Sequence, residues 1–198
     1  MAKKIVASTN MNFYCELPEL GQTLYARPVS YADDLHLLHQ WMHQRHVAPF
    51  WKKDIPLEEF KEYFTKSLNN KSRSHFMIYL DEEPICYIML YEVTSDSIKD
   101  YYPYEESDLG VHIVIGLRQH VHEKYLIPIG EILKTHVFTK LPADRVIAEP
   151  DVANRIIIPS LEKVGFRIHS QIELPHKSAF LLHCDRETFT PTREITYT

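Results

Sequence analysis

Two polar residues that could move a proton, His112 and Asp151, stand at or near the ends of two predicted strands, and Asn154 lies close to the second. His112 lies within an apolar run, between a valine and an isoleucine, and the alternation of a strand turns it to the opposite face from both neighbours. Asp151 and Asn154 follow a second apolar run, residues 145–148. Imidazole exchanges protons near neutral pH, and a carboxylate can orient a reacting group. The pattern favours proton-assisted group transfer where the two strands meet.

Each of these residues also has a purely structural interpretation. His112 could be a core histidine bonded to a backbone carbonyl. Asp151 could be a turn residue or a helix cap, and Asn154 is expected to cap the helix that follows it. Two predicted helices start near the same strand ends, and helix N-termini bind anionic groups. A phosphate-bearing donor therefore suits this arrangement.

Bulk composition limits the classes of partner. The 198 residues carry a formal net charge of -5, and no stripe of Lys or Arg occurs, so nucleic acid and anionic membranes are not expected partners. No apolar run is long enough to cross a bilayer. A chain of this length buries a core without disulfides or metals, so we expect a single domain over residues 1–198 that acts on small molecules. A monomer or a weak homodimer is expected.

Cysteine and histidine usage predicts neither disulfides nor a metal site. The three cysteines, Cys15, Cys86 and Cys184, lie far apart without a CxxC motif. They are interpreted as free thiols of a reducing compartment, which predicts a cytoplasmic location. The first residues lack the apolar core of a signal peptide. The twelve histidines show no ligand spacing such as HExxH.

Hydrophobic periodicity predicts the elements that must position these residues. An irregular N-terminal arm is expected over residues 1–21. Asp33 or Asp34 should cap the first helix, Pro56 should open the second, a third should begin near Pro128, and Gly165 should end the last. The predicted strands cover residues 23–29, 75–80, 85–93, 111–115, 145–148, 166–172 and 178–184, and the predicted helices residues 34–44, 57–68, 128–138 and 156–164.

The order of these elements, β-α-α-β-β-β-α-β-α-β-β, predicts an α+β fold with a central mixed, mostly antiparallel and twisted sheet flanked by helices. Residues 94–108 are polar and rich in tyrosine, and they are predicted to form a loop over the site.

Six short motifs follow one another in the same chain. They are Leu38-His39-Gln40-Trp41-Met42, Val47-Ala48-Pro49-Phe50-Trp51, Tyr91-Glu92, Asp96-Ser97-Ile98, Gly110-Val111-His112 and Glu149-Pro150-Asp151-Val152-Ala153-Asn154. With the element order, they resemble the GNAT acetyltransferase superfamily. Within it, the chain is similar to the branch that acylates hydroxylamines in siderophore biosynthesis.

The resemblance implies an acyl-CoA-dependent N-acyltransferase. The donor would be acetyl-CoA or succinyl-CoA, and the acceptor an N-hydroxylated diamine or N-hydroxylysine, which becomes a hydroxamate for iron chelation. Transfer would be direct, within a ternary complex and without a metal. His112 would take the proton from the attacking nitrogen. Asp151 would orient the hydroxylamine or pair with His112, and a backbone N–H near residues 114–116 would stabilise the oxyanion.

Donor binding departs from the superfamily pattern in one respect. The superfamily holds the pyrophosphate in a glycine-rich turn that opens a helix, whereas residues 117–126 contain no glycine. Glycine lets a backbone approach phosphate closely. Cationic side chains could replace the lost contacts. The residues expected to bind the donor are Val114, Gly116, Arg118, His122, Lys124 and Asn154, with His120 as a further basic residue of the loop.

Aromatic and acidic residues are expected to form the acceptor pocket. Trp41 could equally be a core residue of an amphipathic helix, whereas Phe50 and Trp51 lie in a non-periodic segment that suits a pocket wall. Glu92 is one of several acidic residues near the tyrosine loop that could hold the distal ammonium of a diamine, and Tyr104 could wall the same pocket.

Two alternatives keep the fold and change the function. The acceptor could be an aminoglycoside or another amine. The chain could also be a binding or regulatory domain that does not bind the donor, an alternative that the glycine-free segment favours. Serine hydrolase, P-loop and dinucleotide-binding motifs are missing from the sequence.

Overall fold

The computed structural model describes Val6 and residues 11–198. In this part of the chain there are nine strands and five α-helices. The strands are β1 Phe13–Leu17, β2 Gln22–Pro28, β3 Arg73–Leu80, β4 Glu83–Glu92, β5 Asp108–Ile115, β6 Arg145–Ala148, β7 Arg167–Leu174, β8 Lys177–Asp185 and β9 Thr196–Tyr197. The helices are α1 Tyr31–Met42, α2 Ala48–Trp51, α3 Leu57–Leu68, α4 Glu123–Lys140 and α5 Ile157–Lys163.

All nine strands belong to one sheet in the order β7-β8-β6-β5-β4-β3-β2-β1-β9. Every neighbouring pair is antiparallel except β5 and β6, which are parallel. The prediction of an α+β fold with a mixed, mostly antiparallel sheet is therefore confirmed.

Helices cover both faces of this sheet. On one face, α1 and α3 pack through residues such as Leu38 and Phe60 against the Met89 side of β4. On the other face, α4 packs through residues such as Ile129. Strand β5 supplies both cores in alternation: Val111 belongs to the α4 core and Val114 to the α1–α3 core. The period of two predicted for the His112 strand is thus present.

The parallel pairing of β5 with β6 is short. It joins Asp108 to Arg145, Leu109 to Val146 and Gly110 to Ile147, and it ends there. Strand β5 continues to Ile115 beside a gap. Parallel strands normally share evenly spaced hydrogen bonds along their length, so the backbone of β5 beyond Gly110 has its β6 side open.

A buried ion pair closes the narrow end of this gap. Asp108, with a side chain that is 0% exposed, accepts hydrogen bonds from Nε and Nη2 of Arg145, both at 2.7 Å. It also accepts from the Tyr102 hydroxyl at 2.8 Å and the Glu105 N–H at 2.9 Å. Because Asp108 starts β5 and Arg145 starts β6, this bidentate pair fixes the two strands where they meet.

Three predictions about element ends are corrected by the structure. The irregular arm predicted over residues 1–21 is wrong for Phe13–Leu17, which form β1; residues 1–5 and 7–10 lie outside the described residues. Ser30, rather than Asp33 or Asp34, caps α1 by accepting from the Asp33 N–H. Asp34 instead forms a buried ion pair with Arg27 at 2.7 Å.

The third correction concerns α4, which the sequence predicts to begin near Pro128. It begins at Glu123, and Pro128 lies inside it. The helix tolerates the proline because its first turns are held by packing: Leu126 is 6% exposed and Ile129 is 1% exposed. Tertiary burial outweighs local propensity here. Pro56 directly precedes α3 and Gly165, with φ of 102°, follows α5, as predicted.

Candidate active site

Two adjoining cavities lie along the gap between β5 and β6. The first has a volume of about 480 Å³ and includes His112, Glu149 and Asp151 in its walls. The second, about 320 Å³, is more apolar and reaches Arg118. Five residues line both cavities and so mark where they meet: Phe50, Trp51, Ile113, Asn154 and Ile157.

His112 projects into the first cavity from β5. Its side chain is 31% exposed, and Nε2 lies 3.4 Å from Oε1 of Glu149, a buried carboxylate at the end of β6. Trp51 contacts the imidazole edge-on, with ring centroids 5.8 Å apart. When Nε2–H points to Glu149, the Nδ1 lone pair is left to accept a proton.

Tyr91 supports both members of this pair from β4. Its ring stacks on His112 with centroids 4.9 Å apart and planes inclined by 19°. Its hydroxyl lies 3.5 Å from Oε2 of Glu149. Burial raises the pKa of Tyr91 well above its usual value, so the hydroxyl stays protonated and donates to the carboxylate.

Glu149 is the carboxylate that pairs with His112, whereas the sequence gives Asp151 as the possible partner. Asp151 lines the same cavity, and its Oδ1 accepts a hydrogen bond from the Ala153 N–H at 2.8 Å. In an extended chain, residues two apart face the same side. That spacing brings both carboxylates to the cavity, so it marks Glu149 as a second candidate without choosing between the two.

Asn154 caps α5 as predicted, whereas its contact with the donor stays a prediction. Its Oδ1 accepts a hydrogen bond from the Ile157 N–H at 3.2 Å, at the start of α5. The residue also lines both cavities. Asn154 therefore starts the helix at the point where the two cavities meet.

Residues from the α1–α2 segment hydrogen-bond to the open side of β5. Trp51 Nε1–H donates to the Ile113 carbonyl at 3.1 Å, and His46 Nε2 lies 2.8 Å from the Ile115 carbonyl. The Gly116 N–H points to the opposite side of β5 and donates to the Ile85 carbonyl of β4. Since backbone groups alternate in direction along a strand, the N–H groups of Ile113 and Ile115 face the gap. Of residues 114–116, for which an oxyanion donor is predicted, Ile115 is the one whose N–H faces the gap.

The residues predicted to bind the donor divide into two groups. Val114, Arg118 and Asn154 line the second cavity. Within the described part of the chain, its walls do not include Gly116, His122 or Lys124. His122 instead caps α4 by accepting from the Lys124 N–H at 3.2 Å.

The glycine-free segment forms its turn without left-handed backbone. A short 3-10 turn over Arg118–His120 leads into α4, and residues 117–122, all of them described, have no positive φ. The turn itself therefore needs no glycine. Arg118 at the cavity edge can supply charge in place of a close backbone approach.

Trp41 is a core residue, the second of the two interpretations given for it. It is 2% exposed, and a Cβ built on Gly116 would lie 2.0 Å from its Cε2 atom. Gly116 is therefore required by the close approach of the Trp41 ring. Phe50 and Trp51, in contrast, form part of the cavity walls as predicted.

Glu92 and Tyr104 lie outside the cavity walls formed by the described residues. Glu92 is 9% exposed and accepts a hydrogen bond from the Val6 N–H at 3.4 Å. Tyr104 is 42% exposed. Residues 94–107 do form a loop, in which two short 3-10 turns precede β5.

Metal-binding clusters and membrane-spanning helices are both missing from the described residues. Among them, no group of three or more His, Cys, Asp or Glu side chains could hold a metal ion. None of the helices in that region is both long and apolar enough to cross a membrane. The three cysteines are free and buried, and burial raises the pKa of Cys184 to about 11.

Comparison with known families agrees with this geometry. A family model described as "Acetyltransferase (GNAT) domain" matches residues 30–174. The chain therefore belongs to the GNAT acetyltransferase family, and it is an acyltransferase.

Named relatives lie in one branch of that family. The chain is 30% identical to an N-hydroxyputrescine acetyltransferase of Acinetobacter baumannii over 85% of this chain and 81% of the relative. It is 24% identical to an N(6)-hydroxylysine O-acetyltransferase of Escherichia coli over 87% of this chain and 55% of the relative. Both relatives are named for hydroxylamine substrates.

Solved structures share the fold. An uncharacterised protein from Bacillus halodurans superposes with a TM-score of 0.86 at 31% identity, covering 91% of this chain and 93% of that chain. AAC(6')-Ib in complex with paromomycin and acetyl-CoA superposes with a TM-score of 0.76 at 19% identity, covering 86% of this chain and 98% of that one.

Proposed function

We propose that this acyltransferase moves an acyl group, acetyl or succinyl, from acyl-CoA to the hydroxylamine nitrogen of an N-hydroxylated diamine or N-hydroxylysine. The product is a hydroxamate, which suits iron chelation in siderophore biosynthesis. The observation that carries the proposal is the partly exposed imidazole of His112 in the first cavity, which adjoins the second cavity along the gap between β5 and β6. The hydroxylamine substrates in the names of the relatives support the acceptor class.

The second cavity suits the donor. Its position along the open side of β5 gives the pantetheine arm backbone partners in place of a neighbouring strand. Val114 and Asn154 would contact this arm, and Arg118 would bind a phosphate as a charged donor. In this proposal His122 and Lys124 do not contact the donor. They contribute only charge at the start of α4. The thioester would lie where the two cavities meet, beside Trp51 and Ile113.

The reaction is a direct transfer in a ternary complex. The hydroxylamine nitrogen attacks the thioester carbonyl carbon, a C–N bond forms, and the C–S bond breaks to release CoA thiolate. The proton lost from nitrogen passes to His112 and then to the thiolate. A hydroxylamine is far less basic than an alkylamine and is neutral at cellular pH, so His112 removes a proton only as the tetrahedral intermediate forms.

Protein groups around this intermediate have separate tasks. The N–H of Ile113 or Ile115, facing the gap, would stabilise the oxyanion. Glu149 would hold the His112 ring and stabilise its imidazolium form. Asp151 would orient the hydroxyl group of the acceptor, and Trp51 with Phe50 would confine the acyl chain. Most of the acceleration would come from positioning the two substrates.

The test is release of CoA with acetyl-CoA and succinyl-CoA against N-hydroxyputrescine, N-hydroxycadaverine and N6-hydroxylysine, with the unhydroxylated amines and an aminoglycoside alongside. We expect turnover that requires the hydroxyl group. Equal turnover of the plain amines would overturn the acceptor class. Release with none of the pairs, in a folded preparation, would overturn the proposal as a whole.

Two variants test the assigned residues. His112→Ala should lower kcat by about a hundredfold, the low end of what a positioned general base contributes. Asp151→Asn should raise KM for the acceptor more than it lowers kcat, because it orients the acceptor and does not take its proton. Full turnover in both variants at saturating substrate would show that the assignment is wrong.

A further inference from the structure

The first cavity contains more positive than negative side chains. Its carboxylates are Glu149 and Asp151, and its cations are Lys52, Lys53, Arg73 and Lys177. A cavity built for a polycation would show the reverse balance, because unpaired like charges raise the cost of binding. The charge of these walls thus favours a substrate with a negative group.

Two of the cations line the same cavity as Tyr63, at the end formed by α3 and β3. Lys53 Nζ lies 4.5 Å from the centroid of the Tyr63 ring. Burial raises the pKa of the Tyr63 hydroxyl, and the positive charge of Arg73 opposes that rise. Lys53, Tyr63 and Arg73 come from three separate elements and together form what we call the Tyr63 end of the cavity.

The existing ion pairs leave positive charge unbalanced at this end. Lys177 already lies 4.0 Å from Glu149 Oε1, so these two groups offset each other. Arg73 has a loose partner in Asp96 at 3.7 Å and donates to the Ser67 hydroxyl at 3.2 Å. Among the described residues, no carboxylate forms an ion pair with Lys53.

Strand register gives the separation between the Tyr63 end and the reacting group. Arg73 pairs with Tyr91, and Tyr91 pairs with Gly110, two residues before His112. Two strand spacings amount to roughly 10 Å across the sheet and two residues to roughly 7 Å along β5, so the backbones of Arg73 and His112 are roughly 12 Å apart. A negative group bound by Arg73 would therefore be separated from the reacting carbon and nitrogen by a short aliphatic chain.

We propose that the Tyr63 end is a subsite for a carboxylate at the far end of one substrate, bound by Lys53 and Arg73 with the Tyr63 hydroxyl as a further donor. The proposal rests on the proposed function and narrows its substrates. The carboxylate comes either from the acyl chain, as in succinyl-CoA, or from the acceptor, as in N6-hydroxylysine. A diamine acceptor carries no carboxylate, so beside such an acceptor only a carboxylate of the acyl chain can bind at this end.

Matched substrate pairs separate the two sources. The donors acetyl-CoA and succinyl-CoA are compared with N-hydroxycadaverine held constant, and the acceptors N-hydroxycadaverine and N6-hydroxylysine are compared with acetyl-CoA held constant. We expect a higher kcat/KM for the carboxylate-bearing member in one of the two comparisons. That preference should fall by about tenfold in Lys53→Gln and in Arg73→Gln, since charge-assisted hydrogen bonds are lost.

Lys66→Gln is the matched control, because Lys66 is an exposed lysine of α3 outside the cavity. It should leave the preference unchanged. A wild-type protein without preference in either comparison, or a preference that survives both cavity substitutions, would overturn the subsite. Turnover of acetyl-CoA with N-hydroxycadaverine in that case would leave the proposed function standing.

Ligand binding provides a readout that does not depend on turnover. Trp51 lines the cavity and is one of only two tryptophans in the chain, so its fluorescence reports on occupancy. In the first titration, N6-hydroxylysine and N-hydroxycadaverine are added, in the presence of CoA, to the wild type, Lys53→Gln and Lys66→Gln. In the second titration, the acceptor is omitted and the Kd values of succinyl-CoA and acetyl-CoA are compared. Equal Kd values within both pairs would reject the subsite even if no pair were turned over.

Discussion

The Tyr91 ring lies across Gly110 at van der Waals contact. A Cβ built on the glycine would lie 2.0 Å from Cζ and 2.3 Å from Cε2 of that ring. The same ring stacks on His112, and its hydroxyl donates to Glu149. Because Gly110 of the Gly-Val-His motif has no side chain, the Tyr91 ring has room to contact both His112 and Glu149.

Gly110→Ala should destabilise the fold and reduce turnover together. Tyr91 is 1% exposed and cannot move aside without displacing the core, so overpacking should cost about 1–3 kcal/mol. Urea unfolding measures the first effect and CoA release the second. In a Tyr91→Leu background the same substitution should cost much less. Equal losses in both backgrounds would contradict the contact.

Glu149→Gln should lower kcat by about tenfold or more, with little change in KM for acyl-CoA. The amide cannot stabilise a protonated His112, which forms during proton removal. Glu149→Asp should recover part of the loss, because the charge remains while the distance grows. Tyr91→Phe, which keeps the stacked ring, should cost only a few-fold. An unchanged kcat in Glu149→Gln would remove the carboxylate from the mechanism.

Asp108→Asn should lower the free energy of unfolding by about 3 kcal/mol, the usual result of removing one member of a buried ion pair. Asp144, the residue before Arg145 in the chain, provides a matched control. Its pair with Arg186 is 3.6 Å long and largely exposed, so Asp144→Asn should cost at most about 1 kcal/mol. Both values come from urea unfolding, and similar losses for the two would contradict the structural account.

Acid should destabilise the protein through two buried histidines. Burial lowers the pKa of His75 and of His136 from 6.5 to about 4 in each case. Between pH 6.5 and pH 4 the unfolded chain therefore binds protons that the folded chain does not bind. The contribution of these two histidines to the free energy of unfolding is full above pH 6.5 and falls as the pH drops from 6.5 toward 4. Each group contributes a slope of at most about 1.4 kcal/mol per pH unit.

His136→Phe tests this titration. His136 stacks on Phe13 with centroids 4.6 Å apart, so phenylalanine keeps the ring contact and removes the proton site. Urea unfolding between pH 7 and pH 4.5 should show a shallower decline in the variant. His36→Gln, at an exposed position of α1, should leave the decline unchanged. A wild type whose stability does not change over this range would contradict the titration.

The sheet was largely predictable because its central strands are continuous apolar runs bounded by turn residues. Strand β6 covers Arg145–Ala148, the residues predicted. The elements missed or misplaced depend on tertiary contacts. Strand β1 alternates buried Phe13, Cys15 and Leu17 with more exposed residues, but it has only five residues and is held by pairing with β2 and β9. The start of α4 is fixed by packing around a proline that locally favours a later start.

The site was predictable in its residue types but only partly in its pairings. Sequence alternation turns His112 to the face it occupies, and Phe50 and Trp51 do line the cavity. The choice between Glu149 and Asp151 as the histidine partner depends on where β6 diverges from β5, which no local pattern encodes. The cationic Tyr63 end gathers residues from the loop after α2, from α3 and from β3, and so it emerges only in three dimensions.

The short seam between β5 and β6 makes the sheet two plates. Six strands, β9 to β5, form one plate, three strands, β6, β8 and β7, form the other, and three residue pairs join them. The width of the cleft is set by the angle between the two plates at Asp108 and Arg145. Substitutions at that joint, distant from His112, should therefore change donor affinity by altering the opening of the cleft.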